Sequence, residues 1–179
     1  VALSLDGDAH ERLVCSFTER DDITENEYNE DYNNLHTLLK NTQIVNEMES
    51  SIYTLFKSDL CNIGHEAVPS VLFGVSSTEP FFRHQYKNSP DFLLENYAFG
   101  GMIGDYHTTT GHWLSAFYPI ENSRGKIVGV VQLDISFCKF VAEARRTGCP
   151  LRCSASLGTK ARVAPIRLPL PTRGISASY

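Results

Sequence analysis

Nowhere in this 179-residue chain do apolar residues run on for the ~18 to 20 positions that a membrane-spanning helix needs. The longest such run, Ile127-Val-Gly-Val-Val131, has the length of a strand. Signature motifs of common enzyme classes are missing too: there is no Gly-x-Ser-x-Gly elbow, no Gly-rich phosphate loop, no His-Glu-x-x-His and no Cys-x-x-Cys. No internal repeat is present. What remains is ordinary globular composition, 42% hydrophobic and 21% charged, which excludes collagen-like, coiled-coil and wholly disordered chains. The first residue is Val1 rather than Met, and Val1-Ala-Leu-Ser-Leu5 runs into acidic sequence with no basic leader region. The expectation is an excised fragment.

Acidic residues are missing from one end. Residues 145–179 carry seven Lys and Arg and no Asp or Glu, so the net charge of −5 conceals a body of 9 basic and 21 acidic groups. An acidic body matches nucleic acid poorly, because affinity there rests on neutralising phosphates with Lys and Arg. The tail holds Pro150, Pro165, Pro169 and Pro171 and shows no sustained period of 2 or 3.6. It is expected to have little regular structure, giving a division into a folded unit, 1–146, and a basic tail, 147–179.

Cysteine is scarce and odd in number. Cys15, Cys61, Cys138, Cys149 and Cys153 fall at irregular spacing, which is not a disulfide framework. Cys149-x-x-x-Cys153 lacks a second pair of ligands at zinc-finger spacing. A single disulfide requires an oxidising compartment, and cysteine usage alone leaves the compartment open.

Along the chain, Asp6-Gly-Asp8 precedes a short helical stretch, Ala9 to Phe17, with carboxylates where a helix start wants a cap and negative charge. Capping accounts for Asp6, Asp8 and Glu11 better than a metal site shared with His10 does. From about Tyr28 to Asn46, Tyr32, Leu35, Leu38, Leu39 and Val45 recur at three- and four-residue steps and make one apolar stripe on a long helix. The period then changes to two. Strands are expected at Ile52–Phe56, Ser70–Val75, Gly100–His107, His112–Ile120 and Lys126–Ile135, with a final helix from Phe137 to Arg146. Between Ser76 and Phe99 lies a segment rich in aromatic residues and prolines, read as short helical turns laid over a sheet.

The last two strands form a hairpin around Glu121-Asn-Ser-Arg-Gly125. If Glu121 lies opposite Lys126, Ser115 pairs with Gln132 and Trp113 with Asp134. One face of the hairpin is then apolar, and the other carries Phe117, Val128 and Val130 together with Trp113, Ser115, Gln132 and Asp134. A face that mixed is covered, and covered polar groups need partners. Trp, Ser, Gln and Asp on a half-buried sheet face beside an aromatic-rich segment are what a small-molecule pocket looks like in sequence. The competing view is that Asp134 caps the last helix while Ser115 and Gln132 bond to backbone. Asp105, His107 and His112, with His84, could instead build a metal or acid–base site for a hydrolase; loop or surface histidines are the ordinary explanation. A third reading is a structural dimerisation module built on the long helix.

The blocks Asp105-Tyr-His-x-x-x-Gly111-His-Trp-Leu-Ser-Ala-Phe-Tyr-Pro-Ile120 and Asn122-Ser-Arg-Gly125-Lys-Ile-Val-Gly-Val-Val-Gln-Leu-Asp134-Ile, with Tyr53-Thr-Leu and the opening Leu5 to His10, resemble the extracytoplasmic sensor domains of the Cache and PAS-like group. Those domains precede histidine kinases, cyclases and chemoreceptors of bacteria. Over about residues 5 to 146, the resemblance implies an α+β fold. A five-stranded antiparallel sheet would carry the long helix on one face and, on the other, a ligand pocket under the 76–99 segment. It implies a pocket lined by Trp113, Ser115 and Asp134, with Gln132 on the same face and Tyr53, Phe73, Arg83 and Tyr86 as additions. Arg83 would bind a carboxylate and Asp134 an amino group of an amino acid, carboxylate or similar ligand. It further implies a non-enzymatic module without cofactor or metal. Its partners would be the small-molecule ligand and a second copy met through the N-terminal helix, with no nucleic acid. The domain would lie outside the cytoplasm and reach the membrane only through flanking segments.

Overall fold

A computed structural model describes residues 5–23, 29–61, 69–87, 89–108 and 111–146. The tail, with Cys149 and Cys153, lies outside the described residues, as do Tyr28 and the stretch 62–68. Helix α1 (Gly7–Ser16) starts at Asp6, whose carboxylate accepts from Ala9 N at 3.0 Å. Helix α2 (Glu30–Val45) starts at Asn29, whose side chain accepts from Tyr32 N at 3.0 Å, with Glu30 and Asp31 in its first turn. Both starts answer the orphan N–H groups and the positive end of the helix dipole.

Strands β1 (Ile52–Lys57), β2 (Val71–Ser76), β3 (Gly101–Thr108), β4 (Gly111–Glu121) and β5 (Ile127–Ser136) form one antiparallel sheet in the order β2-β1-β5-β4-β3. This is the five-stranded α+β architecture expected. A 3₁₀ turn (Ser58–Cys61) follows β1, a short helix α3 (Asp91–Glu95) precedes β3, and α4 (Phe137–Arg146) continues directly from β5.

Alternation along the strands separates two cores. Ile52 and Phe56 of β1 and Val75 of β2 meet α1 and α2 through Leu13, Val14, Tyr32, Leu35 and Leu39. On the opposite face Tyr53, Leu55, Phe117 and Val130 pack with Leu93 and Tyr97 of the α3 region. The α2 stripe is therefore spent on its own sheet, where Leu39 is fully buried; Ile44 and Val45 at its C-terminal end stay exposed.

The hairpin register differs from expectation. Ser115 pairs with Asp134, Phe117 with Gln132 and Trp113 with Ser136, two residues from the predicted pairing. The turn causes the shift. Asn122 accepts from the N–H groups of Arg124 and Lys126 through its side chain (3.0 and 2.9 Å) and donates its own N–H to the Lys126 carbonyl at 3.0 Å. Glu121 consequently pairs with Ile127, and an irregularity between Ile120 and Glu121 moves the register again. A slip of two keeps every residue on its expected face.

Helix α1 is tied down at several points. Glu11 accepts from Asn122, Arg124 and Lys126 at 2.7–3.0 Å, and Asp8 accepts from the backbone N–H and hydroxyl of Ser123. These carboxylates hold the helix to the hairpin turn. Cys15 is disulfide-bonded to Cys61, 46 residues away, a pairing that irregular spacing did not single out. His10, wholly buried, contacts Thr54 Oγ1 through Nε2 at 3.0 Å, and that hydroxyl accepts from Val75 N at 2.8 Å. Room for the imidazole comes from two strand glycines: a Cβ at Gly129 would lie 2.8 Å from His10 Cε1, and one at Gly74 would lie 3.1 Å from His10 Nε2.

Candidate functional site

On the sheet face away from α1 and α2, a cavity of about 620 Å³ opens above the middle of the sheet. Its floor is Tyr53, Tyr106, Trp113 and Asp134, and Phe73 forms one wall. The cover comes from residues 81–86, which run along the free edge of β2: Phe73 N donates to His84 O at 2.9 Å and Tyr86 N to Val71 O at 2.8 Å. Within this segment Arg83 has φ 57°, a left-handed turn. Phe82 passes into the helix-side core, fully buried, while Phe81 lines the cavity. Glu49, Ser50 and Ser51 complete the rim.

Asp134 is the centre of a polar network. Tyr53 donates to its Oδ2 at 2.7 Å, while its Oδ1 accepts from Ser115 Oγ at 2.5 Å and from Gln132 Nε2 at 3.1 Å. Because the Ser115 proton points at the carboxylate, the Tyr106 hydroxyl donates to Ser115 Oγ, 2.7 Å away. The same Gln132 amide reaches the hydroxyls of Tyr53 and Tyr86 at 2.8 and 3.2 Å. A carboxylate held by such donors is fixed in place. Burial, reinforced by the nearby Asp134 charge, pushes the Tyr53 phenol well above its ordinary range, so Tyr53 remains a neutral donor. Burial does the same to Tyr106.

Of the residues expected at the site, Tyr53, Phe73, Tyr86, Trp113 and Asp134 all line the cavity, and Ser115 and Gln132 bond to Asp134 from the floor. Arg83 does not line it. Its guanidinium donates to the carbonyls of Phe17 (2.6 Å) and Val14 (2.7 Å) at the C-terminal end of α1 and lies over the rings of Phe56 and Phe82. It satisfies orphan carbonyls at the negative end of a helix, a role sequence pattern did not separate from ligand binding.

Tyr106, Phe81, Gln85 and Glu49 are cavity residues that sequence reasoning did not name for the pocket. For Tyr106 a signal existed, because it pairs with Trp113 across β3 and β4 and so shares its face. His84, grouped earlier with a hydrolase site, lines the cavity but is bonded through Nε2 to Asp21 and through Nδ1 to Arg20. The side chains of Asp105 and His107 lie outside the described residues, and the His112 ring packs on Phe137, 4.3 Å between centroids. Among the described residues no group of three or more His, Cys, Asp or Glu is placed to hold a metal ion, and no helix is long and apolar enough to cross a membrane.

Solved structures similar to this chain exist. The chain is similar to chemoreceptor sensor domains. The ligand-binding domain of Campylobacter jejuni chemoreceptor Tlp3 in complex with 4-methylisoleucine is 18% identical, with a TM-score of 0.43, over 76% of this chain and 52% of that one. The Tlp3 domain with L-norvaline is 17% identical, with a TM-score of 0.39, over 75% and 50%. The extracellular domain of mmHK1S-Z2, assigned as a histidine kinase, is 11% identical, with a TM-score of 0.40, over 77% and 54%. The chain thus spans about half the length of each of these. No family model and no curated protein matches it.

Proposed function

We propose that this chain is the ligand-binding sensor domain of a membrane signalling protein, taking a small organic molecule into the cavity over Asp134. The observation that carries this reading is the half-open, aromatic-walled cavity with a carboxylate clamped at its floor. Concave apolar sites with a few convergent polar groups are the usual form of small-molecule pockets.

The route to an output runs through α4. Asp134 stands two residues before the end of β5, and α4 begins at the next residue, Phe137. Glu49 on the cavity rim is ion-paired with Lys139 of α4 at 2.9 Å. A ligand that touches the floor and rim differently in two settings of α4 shifts the balance between them; one that touches both equally shifts nothing. The Cys15–Cys61 bond supports placement in an oxidising compartment outside the cytoplasm. A homodimer would have to use surface other than the buried α2 stripe.

The test is thermal unfolding of the purified chain against a broad panel of amines, amino acids, carboxylates and purines. A saturable rise in Tm that disappears in Trp113→Ala is expected. Absence of any stabilising compound, or a rise unaffected by that substitution, would overturn the reading.

A further inference from the structure

The charge inside the cavity is one-sided. Of the charged residues lining it, Asp134 and Glu49 are carboxylates, and no Lys or Arg lines it among the described residues. Three cations on neighbouring elements are committed elsewhere: Arg83 to the end of α1, Lys139 to Glu49 at the rim, and Arg20 to Asp21 and Nδ1 of His84. The His84 ring is held by those same two residues. Six aromatic rings line the cavity with Asp134, and Phe73 touches three of them: it lies 5.2 Å from Tyr53, 5.3 Å from Tyr86 and 6.3 Å from Phe81 between centroids.

Resting on the reading of this cavity as a ligand site, we propose that its ligand is an organic ammonium cation that carries no carboxylate, an alkyl- or arylalkylamine rather than an amino acid. Oδ2 of Asp134 accepts from Tyr53 alone among the described contacts, and a carboxylate oxygen has room for a second donor. An ammonium N–H supplies it, and the faces of Tyr53, Tyr106 and Trp113 favour positive charge through their quadrupoles. Beneath the floor, the amide oxygen of Gln132 is a further buried acceptor without a partner among the described residues. The Gln132 amide is oriented by Asp134, which requires its nitrogen on the carboxylate side. A ligand carboxylate would meet the Asp134 carboxylate and, among the lining residues described, no Lys or Arg, and its desolvation would go uncompensated.

A matched series tests this by isothermal titration calorimetry on the whole chain. 2-Phenylethylamine carries the amine alone, phenylalanine adds a carboxylate, 3-phenylpropanoate keeps only the carboxylate, and 2-phenylethanol is neutral. The amine should bind one to one and roughly 10- to 100-fold more tightly than each of the others, as expected for one charge-assisted hydrogen bond. Asp134→Asn should erase that preference, and Arg83→Met, outside the cavity, should leave it intact. If phenylalanine or 3-phenylpropanoate binds as tightly as the amine, or 2-phenylethanol does, the cation proposal fails while the cavity reading stands. Binding of the amine undiminished in a folded Asp134→Asn also overturns it. If Asp134→Asn does not fold, the four-ligand series on the native chain still decides. Should none of the four bind, the proposal falls, and the broader panel decides whether the cavity reading falls with it.

Discussion

Ser115 of β4 lies directly across from Asp134 of β5 and gives its hydroxyl proton to that carboxylate, while accepting one from Tyr106 of β3. Three adjacent strands are thereby joined at the cavity floor by side chains as well as by their ladders. Ser115→Ala removes one donor from the carboxylate and takes from the Tyr106 hydroxyl its near acceptor, leaving it only the longer contact to Asp134 Oδ1 at 3.4 Å. The expected cost is about 1–3 kcal/mol of unfolding free energy, read from urea denaturation. A loss below a few tenths would show that the relay contributes little.

Burial holds His10 at a pKa of about 4, below the ordinary 6.5, against weaker opposing influences from the Val128 backbone and Glu11. The folded state therefore refuses a proton that the unfolded chain accepts. The resulting stability is complete above pH 6.5 and declines as pH falls from there toward 4. Unfolding free energy measured across that window should fall with acid in the native chain and stay nearly level in His10→Gln, which keeps a polar group but does not titrate.

Gly129 offers an independent check on the same ring. An alanine methyl there would sit 2.8 Å from His10 Cε1 and 2.9 Å from the Leu55 carbonyl oxygen. Neither neighbour can retreat, one being a packed ring and the other sheet backbone. Gly129→Ala should cost about 1–3 kcal/mol, in the range of overpacked cores, and a neutral result in thermal unfolding would contradict the packing described.

Glu11 is held at about 2, below the ordinary 4.5, first by the hydrogen bond from Lys126 and then by that from Asn122. Its contribution is present above pH 4.5 and is lost as pH falls toward 2, overlapping the His10 window only at that window's acid end. Because Arg124 is largely and Lys126 about half exposed, solvent screening reduces the effect. Glu11→Gln should lower stability at pH 7 by about 1 kcal/mol and flatten the acid slope below pH 4.5.

Reduction of Cys15–Cys61 frees α1 from the turn after β1. Closing a loop of that size stabilises a fold by about 2–4 kcal/mol, so a reducing agent or the paired Cys15→Ser and Cys61→Ser substitutions should lower Tm by several degrees. An unchanged Tm under full reduction would mean that the bond adds nothing to the helix's other anchors.

The sheet and its two faces were legible because a period of two survives a register error of two. Placing Glu121 against Lys126 misnamed every partner, yet still grouped Trp113, Ser115, Gln132 and Asp134 on the pocket side. The side chain of Asn122 decided the true register, and nothing in the alternation of the strands carries that information. Arg83 was misread for a different reason. An Arg beside aromatic residues has the same appearance in sequence whether its fork meets a ligand or the last carbonyls of a helix some 66 residues earlier. His10 sits in an acidic opening that carries no sign of a core residue, because the space it occupies is made by glycines on β2 and β5. The cover at 81–86 follows no period, so which of Phe81 and Phe82 faced the ligand depended on a turn at Arg83.

Trp113, the chain's one tryptophan, stands on the cavity floor beside Asp134. Its indole is consequently a built-in optical probe of occupancy. Emission intensity and wavelength will respond to a guest's charge and to the water it displaces, with no label attached and no second indole to dilute the signal.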